Sequence, residues 1–272
     1  FYRLKMKLDQ IPESEHAIID FSLCDFVDHT VMEGLYDYQR SFDRKNGVFE
    51  TIGLDIHAAQ TQHPFAVRKS LPINMLMGLK NSLTNRQKNL SDLAKQLSWE
   101  YLPKIDSSPK GIKGFLFFES KVVNYSVNRL VDGKQKFNVF DLSYSEGAFI
   151  TKEDLKGTFL LFKSPIILPV FVLDKEDFKT ALYQWAGFND INFKKHPDFS
   201  KRFHLSGHDH AKIKSLFNSD LIYFFESHPI FHIESNGKHL LIKGNDRLSG
   251  LQEIKIMITF AKDLVSLLKN QK

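Results

Sequence analysis

The sequence predicts two folded units: an α/β sheet with covering helices in the first part, then a separate α+β domain with a mostly antiparallel sheet. Three observations carry this. Over residues 1–54 the apolar periodicity alternates helix, strand, helix and strand, the order that builds a parallel sheet with covering helices. From Gly111 onward, β-branched and aromatic runs separated by turn residues dominate. The net charge of +5 divides into −5 over residues 1–60 and +10 over the rest, as two separate units would show. The expected boundaries are 1–80 for the first domain, 81–90 for a polar linker and 91–272 for the second domain.

In the first domain, Leu4, Leu8 and Ile11 share one helical face, and Pro12 ends that helix. The run from His16 to Ser22 reads as a buried strand. Thr30 and Glu33 have the spacing of a capping box, with the Thr30 hydroxyl expected to accept the Glu33 backbone N–H. Val31, Leu35, Tyr38 and Phe42 then form one apolar helical face, with Gly47 as the expected left-handed stop. Val48 to Leu54 is the second strand.

In the second domain, Leu90, Leu93, Ala94 and Leu97 give a helix that leads to Trp99 and Tyr101. Strands are expected at Phe115–Phe118, Val122–Val127, Phe137–Tyr144, Thr158–Phe162 and Ile166–Leu173. Gly133 marks a hairpin. A short helix is expected over Glu176–Trp185. Phe203–Leu205, Ile230–Ile233 and His239–Ile242 are strand-like, with Ser235-Asn236-Gly237 as a tight turn. Leu251, Ile254, Ile258, Ala261, Leu264 and Leu268 line one face of a long final helix.

Composition excludes several classes. With 42% hydrophobic and 25% charged residues, the chain is too apolar for a disordered one. The longest apolar stretch, Ile166 to Leu173, contains Pro169 and is far short of a membrane span. No apolar leader follows Phe1, and the lone Cys24 excludes an internal disulfide and any multi-cysteine zinc site. These features imply a soluble chain from a reducing compartment. The basic residues are scattered without interleaved aromatics, so no nucleic-acid partner is expected. The absence of Met at position 1, inside a predicted helix, is expected of a segment cut from a longer polypeptide.

The eleven histidines invite a search for metal ligands. His208 and His210 form the densest pair, but two ligands at that spacing need a third and fourth, and a turn before a helix explains them more simply. Cys24 lacks a catalytic signature around it, and no phosphate-binding glycine loop, nucleophile elbow or H-E-x-x-H motif occurs. Asp141 is the odd residue in a strand built for burial, and structural pairing is the expected reason for it. No enzyme activity, metal or cofactor is expected.

The segment Ile18 to Leu35 carries more information. A strand ends in Asp20, a short turn follows, and Asp28-His29-Thr30 opens a helix. This resembles the STAS domain (sulfate transporter and anti-sigma-factor antagonist). Phe1 to Leu8 is similar to the helix that follows the first strand of that domain in SulP anion transporters. Gly53-Leu54-Asp55 and His63-Pro64 add to the likeness, which spans residues 1 to about 70 and lacks the family's first strand. Leu93, Ala94, Trp99, Tyr101, Val139 to Tyr144 and Pro197-x-Phe199-Ser200 resemble a domain of uncharacterised bacterial proteins.

The resemblance implies the cytoplasmic regulatory or interaction region of a SulP-type transporter for sulfate or a bicarbonate-like anion, at the inner face of the plasma membrane. Asp28, His29 and Thr30 would form its regulatory loop. His29 falls where a phospho-acceptor Ser or Thr usually stands, a departure from the family's pattern. The implied partners are the transporter's own membrane domain, a regulatory protein or kinase, and a second copy of the chain. Two alternatives stay open: a soluble partner-switching protein of the anti-sigma-antagonist type, and a hydrolytic or metal-dependent enzyme using Asp141 or the His208/His210 pair.

Overall fold

A division between Lys95 and Gln96 separates two units in the computed structural model. It describes residues 1–77, 83–107, 109, 111–134, 137–147, 152–175 and 190–270. Among these, the fold is mixed α+β, with a large antiparallel sheet and eight α-helices. No described helix is long and apolar enough to cross a membrane.

In the first unit, α1 (Tyr2–Leu8) precedes β1 (His16–Asp20), β2 (Phe26–Val27), α2 (His29–Arg44) and β3 (Val48–Ile52). The alternation predicted from periodicity is present: β1 and β3 pair in parallel, with His16 opposite Val48 and Asp20 opposite Ile52. The pairing stops at these two strands. β2, β4 (His57–Ala59) and β5 (Arg68–Ser70) instead form an antiparallel sheet with β5 in the middle. Leu35 and Phe42 from α2 are buried with Leu8, Phe21 and Phe49 in one core, where the Phe42 and Phe49 ring centroids lie 5.2 Å apart. After α3 (Ile73–Leu76), the unit ends in α4 (Asn85–Leu97).

Three local expectations change. The cap of α2 is Asp28 rather than Thr30: its carboxylate accepts the Val31 N–H at 2.8 Å. Asn46, not Gly47, takes the left-handed conformation after α2 (φ 59°). Gly47 is required for a different reason, since a Cβ there would run into the Glu13 carbonyl oxygen. In the expected linker, 81–82 lie outside the described residues, while Thr84 opens α4. The Thr84 hydroxyl accepts the Gln87 N–H at 3.2 Å and the Gln87 side chain accepts the Thr84 N–H at 3.1 Å, a reciprocal cap.

The second unit is built on an eight-stranded antiparallel sheet. β6 (Glu100–Leu102), β7 (Lys121–Val131), β8 (Asn138–Glu146) and β9 (Glu153–Lys163) follow one another as neighbours. The next neighbours of β9 are β13 (His239–Lys243) and β12 (His232–Asn236), and only then β10 (Val170–Lys175) and β11 (Phe203–Ser206). The β12–β13 hairpin is thus inserted between strands much earlier in the chain, and this places β12 side chains beside β10. Its turn is the predicted one, with Gly237 at φ 91° and the Asn236 side chain accepting the His239 N–H at 2.9 Å.

Helices α5 (Pro197–Arg202), α6 (His210–Leu216), α7 (Ser219–Ser227) and α8 (Leu251–Asn270) complete the unit. The face predicted for α8 is buried at Ile254, Ile258, Ala261, Leu264 and Leu268. Leu116–Phe118 is a 3-10 turn, not a strand. It lies on the sheet, half-buried, with Phe117 against Phe159 and Tyr144 at 5.5 Å each, so its apolar run reflects packing rather than strand pairing. The strand expected from Ile166 starts only at Val170, after Pro169, which has no N–H to donate. The helix expected at Glu176–Trp185 lies outside the described residues.

Candidate functional site

The residues singled out from the sequence scatter over the molecule. Asp28 caps α2, and His29 and Thr30 occupy its exposed first turn. His29 stacks on His63 at 5.9 Å and stands 4.0 Å from the Glu33 carboxylate. His208 is exposed, and His210 begins α6 behind Asp209, which accepts the Lys212 N–H at 3.0 Å. Among the described residues, no group of three or more His, Cys, Asp or Glu side chains is placed to hold a metal ion.

Asp141 is buried and fully engaged. One carboxylate oxygen accepts from the Asn128 side chain at 3.0 Å and the other from the Thr158 hydroxyl at 2.6 Å. Thr158 in turn accepts the Ser249 N–H at 2.8 Å, and Asn128 accepts from the Tyr101 hydroxyl at 3.0 Å. Asn128 sits at a register shift in β7 with φ 55°, a bulge that lets its side chain meet Asp141. This network ties β6, β7, β8 and β9 to the segment before α8.

A different set of charged side chains converges on a cavity of about 420 Å³ in the second unit. His232 on β12 is buried between two carboxylates: its Nδ1 is 2.8 Å from Asp174 on β10, and its Nε2 is 3.1 Å from Glu234. Burial alone would push the imidazolium pKa down. The hydrogen bonds to Asp174 and Glu234 outweigh it and hold the value at about 9. Glu234 also accepts the Phe117 N–H, at 3.0 and 3.2 Å. A carboxylate with 2% of its side chain exposed therefore has its charge met on two sides.

Above this network the Phe117 ring receives two ammonium groups, Lys121 Nζ at 4.4 Å and Lys243 Nζ at 5.3 Å from its centroid. Both lysine side chains are under a tenth exposed, whereas their ion-pair partners Glu146 and Asp246 are 47% and 64% exposed. The Tyr144 hydroxyl, also at the cavity, is pushed up in pKa by burial and by the charges of Asp246 and Glu146, and so stays neutral. The sequence offered one signal for this site: alternation puts His232 and Glu234 on the same face of a strand. The partner Asp174, 58 residues away, becomes a neighbour only through the inserted hairpin.

No protein-family profile matches the chain, and no curated protein matches it. A solved structure similar to it is that of the mycobacterial trehalose monomycolate transport factor A, TtfA, at 10% sequence identity and a TM-score of 0.45, over 67% of this chain and 93% of that one. The expected STAS membership is overturned, and the SulP assignment loses its basis with it: no family profile is matched, and the parallel sheet of the first unit ends at β1 and β3.

Proposed function

We propose that the chain is a non-enzymatic binding and regulatory module whose second unit takes a small organic anion in the His232 cavity. The observation that carries this reading is the convergence of Lys121 and Lys243 on the face of Phe117, with their counter-charges on exposed carboxylates. The ammonium groups are held in place by the ring and by burial. Glu146 and Asp246 reach the ammonium groups from the solvent side, so an incoming anion can take their place while the two carboxylates return to water. Phe117, Tyr144, Leu155 and Phe231 supply apolar wall for the ligand's body.

The state of His232 supports binding over proton transfer. An imidazolium held at about 9 is protonated at neutral pH, and both ring nitrogens face carboxylates, so it is a poor general base. Its role is to fix Asp174 and Glu234 under the cavity. A protein partner would read the occupied state.

Calorimetric titration of the full chain with phthalate and with citrate, polyanions matched to two ammonium groups, tests the reading. At least one should bind in the micromolar to millimolar range, and the Lys121→Gln/Lys243→Gln double variant should weaken it by about tenfold or more. If neither anion binds, or if the double variant binds as well as the parent, the cavity is not an anion site.

A further inference from the structure

We infer that the first unit holds a second and independent ligand site, a pocket for a monocarboxylate with an apolar body, built around Arg68. Arg68 lies on β5, the middle strand of its sheet, with its backbone registered against Val27 on one side and Ala59 on the other. Its position is therefore fixed from both edges. The residue is 6% exposed and lines a cavity of about 350 Å³ within the first unit. The Nε atom is fully buried and has no hydrogen-bond partner.

An arginine in that condition is uncommon, because a buried guanidinium costs several kcal/mol unless its donors are met. Asp55 is near enough to attract it, but that carboxylate is committed elsewhere. One oxygen of Asp55 accepts from Arg86 Nη1 at 3.1 Å, with both side chains 3% exposed, and the other accepts from the Thr84 hydroxyl. Burial pulls the Arg68 pKa down, and the charge of Asp55 only partly opposes this. Among the described residues no carboxylate forms an ion pair with Arg68.

The rest of the cavity names the ligand. Met32, Leu35 and Tyr36 from α2, with Leu54 and Phe65, form an apolar wall, and the Tyr36 and Phe65 rings lie 5.3 Å apart. The guanidinium ends in a planar fork of N–H donors that matches the two oxygens of a carboxylate. Arg68 is the buried cation of the lining and Lys88 an exposed one, so a monoanion balances the buried charge. The volume falls in the range of small-molecule sites and admits a medium-chain or aryl acid.

The test titrates the full chain with octanoate, with octanol as the neutral counterpart and with inorganic phosphate. Octanoate should bind with one strong site, octanol at least about tenfold more weakly, and Arg68→Met should lose about tenfold or more of the octanoate affinity. Arg68→Lys, which keeps the charge and loses the fork, should also bind more weakly. Met32→Trp, which fills the cavity and leaves Arg68 in place, should abolish binding. The Lys121→Gln/Lys243→Gln variant should bind octanoate at this site unchanged, which separates it from the cavity of the second unit. Equal affinity in Arg68→Met, or phosphate displacing octanoate, would overturn the inference. So would an unfolded Arg68→Met together with a Met32→Trp variant that still binds.

Discussion

The two cavities treat their cations in opposite ways. In the second unit His232 has Asp174 and Glu234, Lys121 has Glu146, and Lys243 has Asp246 as opposite charges within reach. In the first unit, Asp55 is engaged with Arg86 and Thr84, and Arg68 stands over a cavity with its Nε unmet. A closed network fixes geometry and resists change. A buried guanidinium without an ion pair leaves the folded state short of an interaction that a ligand can supply. A ligand in the second unit competes with two resident carboxylates, while one in the first unit meets no competitor. Ligand-induced stabilisation should therefore be the larger at Arg68 for equal ligand concentration.

The comparison breaks first on Glu234. Glu234→Ala removes an acceptor from a buried imidazolium and from the Phe117 N–H, leaving a charge without one of its partners. A loss of about 3–5 kcal/mol in the second unit's stability is expected. Both tryptophans of the chain, Trp99 and Trp185, lie in that unit, so urea unfolding followed by tryptophan fluorescence reports on it alone. Arg68→Met should go the other way and leave the first unit as stable as before or slightly more so, read by circular dichroism. Similar losses at both positions would mean that Arg68 is held by its own surroundings.

The pH dependence sharpens the same contrast. Burial opposes the charged His232, yet its carboxylate partners raise its pKa from 6.5 to about 9 in the folded state. The resulting stabilisation is complete below about pH 6.5 and lost as pH rises through about 9. At 1.36 kcal/mol per pKa unit it amounts to about 3 kcal/mol. Urea unfolding of the second unit at pH 6 and pH 9.5 should show this difference, and His232→Gln should remove most of it. A flat profile would show that the imidazole is not held as a cation. Arg68 keeps its charge across that range, so octanoate binding in the first unit should change little.

Much of this architecture was legible in the residues, and the sites were not. Period-two and helical patterns report burial, and burial is what placed β1, α2, β3, β8, β9 and α8. They fail where an apolar run packs without pairing, as at the half-buried Phe117 and Phe118, whose segment lies on the sheet as a turn. The linker reading missed a signal in plain view, the Thr84-x-x-Gln87 cap, because the surrounding residues are polar. Asp141 was recognised as anomalous and structural pairing accounts for it. Arg68 gave no sign, since an arginine in a short strand looks like any exposed one until the sheet and α2 close over it. Asp174 and His232 are strangers along the chain, and only the strand order makes them neighbours.

The smallest expected effect concerns the loop that the sequence placed foremost. Asp28 accepts the Val31 N–H, so it meets one of the donors left open at the start of α2. Asp28→Ala should cost about 1 kcal/mol of first-unit stability, the usual loss for an N-cap. Thr30 is exposed within the first turn, and Thr30→Ala should stay within about 0.5 kcal/mol, as surface substitutions do. Thermal unfolding of the two variants, followed by circular dichroism, separates them. Were Thr30→Ala the more damaging, the capping box read from the spacing with Glu33 would be the true one. The helix that carries Met32, Leu35 and Tyr36 to the Arg68 cavity would then begin two residues later, with those three side chains still inside it.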